Sequence, residues 1–199
     1  YPGSDRTLLA SDSLVQYANF HTSFSRALHG EQSLFYSWQA SLGLNYWALA
    51  GYYLNGLFTP LVYFFDGLSM PDGLYVLTLL KFGVMGGSFW WFARKTYRLP
   101  EGMYLGLSVS YALMAYATAY SEVIMWLDPF IYLPLIVLGI HRIMDGGKPT
   151  LLFISYLLLF LSSFYMGFMI GVFTFLYFFC RLMTDRKRYG RTLPVYLLT

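Results

Sequence analysis

Apolar residues in this chain gather into long uncharged runs, and most charges fall in the gaps between them. Residues 74–93 are apolar apart from Lys81 and lead into Arg94, Lys95 and Arg98. Residues 102–120 carry no charge. Residues 129–140 are apolar but short, and their helix extends to about Met144. Residues 149–180 are again uncharged. A helix needs roughly 20 apolar residues to cross a bilayer, so the first two runs each predict one span. The last run is too long for one helix and too short for two full ones. Basic residues flank it on both sides, which puts both its ends in the cytoplasm. The chain must therefore turn back inside it, and 162–167 is the polar, glycine-containing place to do so. The predicted spans are about 74–95, 102–121, 129–144, 149–162 and 166–184, with the start of another near 192.

Charge fixes a sidedness. Ten of the 13 Lys and Arg lie in three loops, 94–98, 141–148 and 181–191, read as cytoplasmic. Asp5, Asp12, Glu31, Asp66, Asp72, Glu122 and Asp128, seven of the ten acids, fall on the outer side. By parity, residues 1–73 begin and end outside and form an outer loop region. Within 19–30, Phe20, Phe24, Ala27 and Leu28 share one helical face, with His21 and Arg26 elsewhere. This predicts a helix lying in the membrane interface. Residues 42–65 are apolar and aromatic but broken by Gly43, Gly51, Gly56 and Pro60. They read as an interfacial or re-entrant segment. The alternative is an ordinary span, which would invert the sidedness of everything before it.

Composition agrees with lipid as the solvent. The chain is 57% hydrophobic, 21% aromatic and 12% charged, against about 25% charged in soluble domains. The fold class is all-α, a polytopic integral membrane helical bundle, and a soluble globular domain is excluded. A net charge of +3 without a basic stripe argues against nucleic acid as a partner. The lone Cys180 excludes an internal disulfide and a cysteine-based zinc site. The first residue, Tyr1, and a tail over 194–199 that reads as a helix being entered suggest an internal piece of a longer chain.

The short spans carry a functional implication. Helices over 129–144 and 149–161 cannot reach the outer surface, so their outer ends lie below it. Irregular backbone at that depth lines a water-filled cavity or is buried in protein. This predicts a vestibule lined by Trp126, Asp128, Ser162, Ser163 and Tyr165, with Asp12 facing it. A carboxylate there can act as a general base or hold a cation. Each acid also has a plainer reading: Asp12 as a helix N-cap for 13–18, Asp128 as a cap before Pro129, Glu122 as an interfacial residue. Lys81 either snorkels, or reaches a lipid phosphate, or pairs with an outer Asp. Arg6, Arg26, His21 and His29 are further candidates for phosphate contact. His21 and His29 lack the i, i+4 spacing of a metal motif, and no Ser-His-Asp pattern, P-loop or dinucleotide-binding glycine motif is present.

Ser11-Asp12-x-x-x-Gln16, Phe35-Tyr36-Ser37-Trp38 with Gly43-x-Asn45, Tyr52-Tyr53-Leu54 before Pro60, Leu80-Lys81, Met125-Trp126-Leu127-Asp128-Pro129 and Phe164-Tyr165-Met166-Gly167 run through nearly the whole chain. Together they resemble the YfhO family of bacterial membrane proteins. The resemblance implies a GT-C-like fold with outer-face interfacial helices, in the bacterial cell membrane. It implies an enzyme moving a sugar from a polyprenyl-phosphate carrier to an extracytoplasmic acceptor, such as lipoteichoic acid, another wall polymer or a glycolipid. GT-C enzymes carry an essential acid in the first outer loop, a place that Asp12 matches, and often a second acid that Asp128 or Glu122 matches. On that basis Asp12 and Asp128 are the candidate catalytic residues. Gln16, Arg26, Trp38, Asn45, Lys81, Glu122, Trp126 and Tyr165 are candidates for substrate binding, with Lys81 on the carrier phosphate and Trp38, Trp126 and Tyr165 around the sugar. The pattern names no definite cofactor, and a divalent cation between Asp12 and Asp128 is compatible with it. Two other classes also fit the chain: a flippase of a lipid-linked substrate, and a non-catalytic envelope-assembly scaffold.

Overall fold

The computed structural model describes residues 11–38, 42–184 and 192–198. Asp5, Arg6, Arg186, Lys187, Arg188 and Arg191 lie outside them. The described residues form a helical bundle under a smaller helical cap. Three helical stretches are long and apolar enough to cross a membrane: Met70–Thr96, Ile124–Met144 and Phe164–Thr184.

The longest of these, α3 (Met70–Thr96), shows how the sequence builds the bundle. Pro71 fills the first turn, where a missing N–H costs nothing. Asp72 stands at the positive end of the helix dipole, and Arg94 and Lys95 at the negative end. Leu74, Leu77, Lys81, Met85, Ser88 and Phe92 recur every three or four residues and are buried, while Val76, Leu79 and Trp90 stay exposed on the opposite side. Its 27 residues extend about 40 Å.

Pair contacts fix the helix directions. α4 (Glu101–Ala112) runs back along α3, with Arg94 bonded to Glu101 at one end and Phe89 stacked on Tyr111 at the other. α6 (Asp128–Met144) runs parallel to α3: Lys81 meets Asp128, and Phe92 meets His141. α7 (Thr150–Ser162) returns along α6, so close that a Cβ on Gly139 would lie 2.9 Å from the Leu152 backbone. α8 (Phe164–Thr184) reverses again after Ser163. Tyr156 and Thr174 share a 2.6 Å hydroxyl–hydroxyl bond, and Phe160 covers Gly167. α9 (Thr192–Leu197) stacks Tyr196 on Phe178.

α6 is the hub, and it contains Pro134. Proline has no N–H for the carbonyl four residues earlier, Phe130. The Tyr111 hydroxyl, from the end of α4, donates to that carbonyl at 2.8 Å. Here the structure departs from the single span expected over 102–121. α4 stops at Ala112, and a separate short helix, α5 (Ala115–Ala119), follows a break at Leu113 and Met114. Neither glycine nor proline marks the break. It is held from outside, by the Tyr111 bond and by Tyr116 and Tyr120 packing on Phe130 and Trp126.

The cap contains α1 (Ala18–Leu28), entered through a π-turn at Ser13–Tyr17. A two-stranded hairpin follows, β1 (Tyr36–Ser37) against β2 (Leu44–Asn45), with Tyr36 opposite Asn45. Then come α2 (Tyr46–Tyr53) and a 3-10 turn at Thr59–Phe64. No helix within 42–65 exceeds the eight residues of α2, about 12 Å, so none crosses a bilayer by itself. Tyr46, Leu49, Ala50 and Leu54 of this segment pack on Phe20 and Phe24 of α1. His21, expected away from the apolar face, is 1% exposed instead and donates Nδ1–H to the Tyr17 carbonyl at 2.7 Å. Burial holds its pKa down to about 4, so the ring is neutral.

Candidate functional site

Where the cap meets the bundle, α3 and the start of α6 hold a buried ion pair. Lys81 Nζ donates to Asp128 Oδ2 at 2.8 Å and to the Ile124 carbonyl at 2.9 Å. The two side chains are 3% and 1% exposed. The cap closes over them through Gly56: a Cβ there would stand 2.8 Å from Asp128 Oδ2, 2.9 Å from Thr59 Oγ1 and 3.4 Å from Lys81 Nζ. Any larger residue at position 56 would collide with the pair. Asp128 Oδ1 and the neighbouring Trp126 Nε1 are buried without a hydrogen-bond partner among the described residues.

This geometry revises three expectations. Asp128 is not a helix cap, since no side-chain capping bond forms at the start of α6. It does not line an open vestibule, because it is fully buried; Ser162 and Ser163 are buried as well. Lys81 does not snorkel. It takes the third reading open to it, pairing with an Asp. Both of its bonds go to the 124–128 segment, so the ammonium clamps that segment to α3.

A second group of polar residues is tied to the same segment. Asp12 is exposed and does not cap the helix that follows. Its Oδ1 accepts from Gln16 Nε2 at 3.1 Å, and Gln16 Oε1 accepts from the Tyr53 hydroxyl at 2.9 Å. Burial, with Tyr52 and Asp12 nearby, holds the Tyr53 hydroxyl above its ordinary range, so it remains a donor at neutral pH. Ser11 adopts φ +48°, a left-handed conformation that costs a non-glycine residue about 1 kcal/mol. Such outliers concentrate at functional sites. Next in the chain, Ser13 Oγ donates to the Glu122 carbonyl at 3.1 Å. One connected unit thus runs from Asp12 through Ser13 to Glu122, then Ile124, Lys81 and Asp128.

Beside this unit opens a cleft of about 250 Å³ between α3 and the 121–124 segment. Ser13, Tyr75, Leu79, Phe82 and Glu122 line it. Leu79 is 52% exposed on the outward face of α3, so the cleft opens sideways, toward lipid. Trp126 lies nearby against Tyr120, and Tyr120 against Tyr116. Tyr165 begins α8 and is 52% exposed.

Other candidates fall elsewhere. Trp38 is 80% exposed in the hairpin, edge-on to Tyr36. Asn45 caps α2 by accepting from the Trp47 N–H. Arg26 lies toward the other end of α1, in a separate cavity. No three His, Cys, Asp or Glu side chains gather in metal-binding geometry among the described residues. Asp12 at the surface and the sealed Asp128, its Oδ2 already on Lys81, do not fit a shared cation. Sequence reasoning missed the roles of Gly56 and Thr59, which come from atoms on distant elements. Tyr53 stood in a quoted motif, but nothing local linked it to Gln16.

Helices that alternate in direction, with three long enough to cross a bilayer, define a polytopic membrane protein. Over residues 1–199 the chain matches the family model described as bacterial membrane protein YfhO, and it belongs to that family. No curated protein and no solved structure matches it.

Proposed function

We propose that the protein is a GT-C-type glycosyltransferase that moves a sugar from a polyprenyl-phosphate donor to an extracytoplasmic acceptor, such as lipoteichoic acid or another wall polymer. The observation that carries this reading is an exposed Asp12 carboxylate, hydrogen-bonded by Gln16 and next in the chain to Ser13, which lines the cleft beside α3. Family membership supports the class of chemistry.

The acceptor hydroxyl loses its proton to Asp12, a general-base role. The acceptor oxygen attacks the anomeric carbon from the side opposite the phosphate, and the bond from that carbon to the phosphate oxygen breaks. Polyprenyl phosphate leaves with the electron pair, and the configuration inverts. The isoprenoid lies along the Leu79 side of the cleft. Glu122 reaches the same cleft and is better placed than Asp128 to be the second acid, orienting hydroxyls. Trp126 and Tyr165 flank the sugar. Lys81 and Asp128 position the 122–126 segment and do not touch substrate.

The test is Asp12→Asn in the full-length protein, with membranes assayed for transfer from a polyprenyl-phosphate sugar. Loss of a general base predicts a fall of about 10²–10⁴-fold at unchanged expression and thermal midpoint. Normal transfer by the folded variant overturns the assignment. One observation favours the flippase reading: Asp128 is an acid buried at membrane depth, where ionisable groups mark transport paths. That reading predicts that Asp12→Asn spares lipid movement and that Asp128→Asn stops it.

A further inference from the structure

The Arg26 end of α1 holds a second cavity, of about 450 Å³, and its chemistry is unlike that of the cleft. Arg26, His29, Glu31, Tyr63 and Asp66 line it. At 1.5 Å per residue, Arg26 stands roughly 20 Å from Asp12 along the same helical rod. Arg26 is exposed and forms no ion pair among the described residues, although two carboxylates share its cavity. Asp66 is already engaged: its Oδ1 accepts from the Ser69 and Leu68 N–H groups and from the Ser69 hydroxyl. Those bonds hold the carboxyl below its usual range, so it stays charged. His29 donates Nδ1–H to the Ser25 carbonyl at 2.8 Å, which leaves Nε2 facing away from the helix backbone. Its ring is stacked on Tyr63, with centroids 4.3 Å apart and planes 3° from parallel.

This combination selects a ligand class. A bare phosphate would use the guanidinium but meet only acceptors in Glu31, Asp66 and His29 Nε2. A neutral sugar would use the carboxylates and the Tyr63 face but leave the guanidinium without an anion. A ligand with a phosphate and neighbouring hydroxyls satisfies both halves. Arg forks onto phosphate oxygens, carboxylates accept from hydroxyls, and carbon–hydrogen faces pack on aromatic rings.

We propose that this cavity binds a polyol phosphate, with the phosphate on Arg26, hydroxyls donating to Glu31 and to His29 Nε2, and the carbon backbone against Tyr63. As a subsite for the acceptor chain, about 20 Å from the reacting end, its role rests on the transferase reading; its binding does not. The same chemistry is offered by a polymer repeat in solution and by a phosphatidylglycerol headgroup in the bilayer.

The experiment is calorimetric titration of the full-length protein in phosphatidylcholine nanodiscs with a short oligo(glycerol phosphate). Binding is expected, with glycerol and inorganic phosphate at least tenfold weaker. Losing the charged hydrogen bonds of Arg26 predicts about 10–100-fold weaker binding in Arg26→Ala. Tyr63→Ala, on a half-exposed side chain, is expected to weaken binding without unfolding the cap. If the headgroup is the source, native mass spectrometry of protein from phosphatidylglycerol nanodiscs shows retained lipid that Arg26→Ala loses, and the oligomer no longer binds there. Equal oligomer binding and equal lipid retention by wild type and both variants overturn the site. Asp12→Asn keeps the two readings apart. If it stops transfer while wild type binds neither probe, the transferase stands and this site falls. If it transfers normally while Arg26-dependent binding persists, the site stands and the transferase falls.

Discussion

Lys81 exchanges its hydration shell for two bonds, one to Asp128 and one to a carbonyl. Breaking a buried pair by removing one partner costs about 3–5 kcal/mol, because the other charge is left buried alone. Lys81→Met and Asp128→Asn should therefore each lower the thermal midpoint in detergent micelles by many degrees. The double variant Lys81→Met/Asp128→Leu should recover most of the loss. Additive losses would show that the pair does not act as a unit. The sequence made Lys81 conspicuous, a cation in an apolar run, and even offered the right class of partner. It could not choose between the lipid phosphate and the Asp, because that choice depends on how far Asp128 is covered. The cover is Gly56, which looks from sequence like one more helix-breaking glycine. Its need for a missing side chain is set by atoms of α3, α6 and Thr59.

Among the helices, α6 and α7 approach most closely at Gly139, where Leu152 presents backbone rather than a flexible side chain. Backbone cannot move aside cheaply, so Gly139→Ala should part the helices at an overpacking cost of about 1–3 kcal/mol, seen as a lower unfolding midpoint. Gly87→Ala is the control. Nothing lies within 4 Å of its Cβ position, and alanine favours helix, so it should be neutral or slightly stabilising. The long helices were legible because lipid imposes length and uniform apolarity. The reversal near 162–167 was legible because its polar residues and glycine stood inside an apolar run; it came as the single residue Ser163. The α4–α5 break was illegible, since the groups that pack against it lie on other elements: Pro134 leaves the Phe130 carbonyl without its helical donor, and the Tyr111 hydroxyl bonds it.

For the whole molecule, Arg94 lies over Trp90 and Arg142 over Trp91, at 4.8 and 5.6 Å. Such aromatic–basic belts mark a headgroup level. Lys81 is about 15 Å along α3 from Trp91, near the middle of a hydrocarbon core about 30 Å thick. Gly56 and Thr59 touch the pair, so the proposed orientation takes the cap into the membrane to that depth, with the cleft rising from there along α3 toward its start at Met70. A carrier phosphate at headgroup level would be out of reach of Lys81. Sidedness is tested by single cysteines in a Cys180→Ser background. An impermeant thiol reagent on intact cells should label Ser11→Cys and spare Gly147→Cys; equal labelling would invert or abolish the proposed orientation.

The ion pair also sets an order on how the chain is made. Lys81 leaves the ribosome 47 residues before Asp128. α3 therefore enters the bilayer carrying a cation that has no partner yet, at a penalty of about 2.5–3.5 kcal/mol. Only the arrival of α6 neutralises it, after α4 and α5 have already been delivered between them.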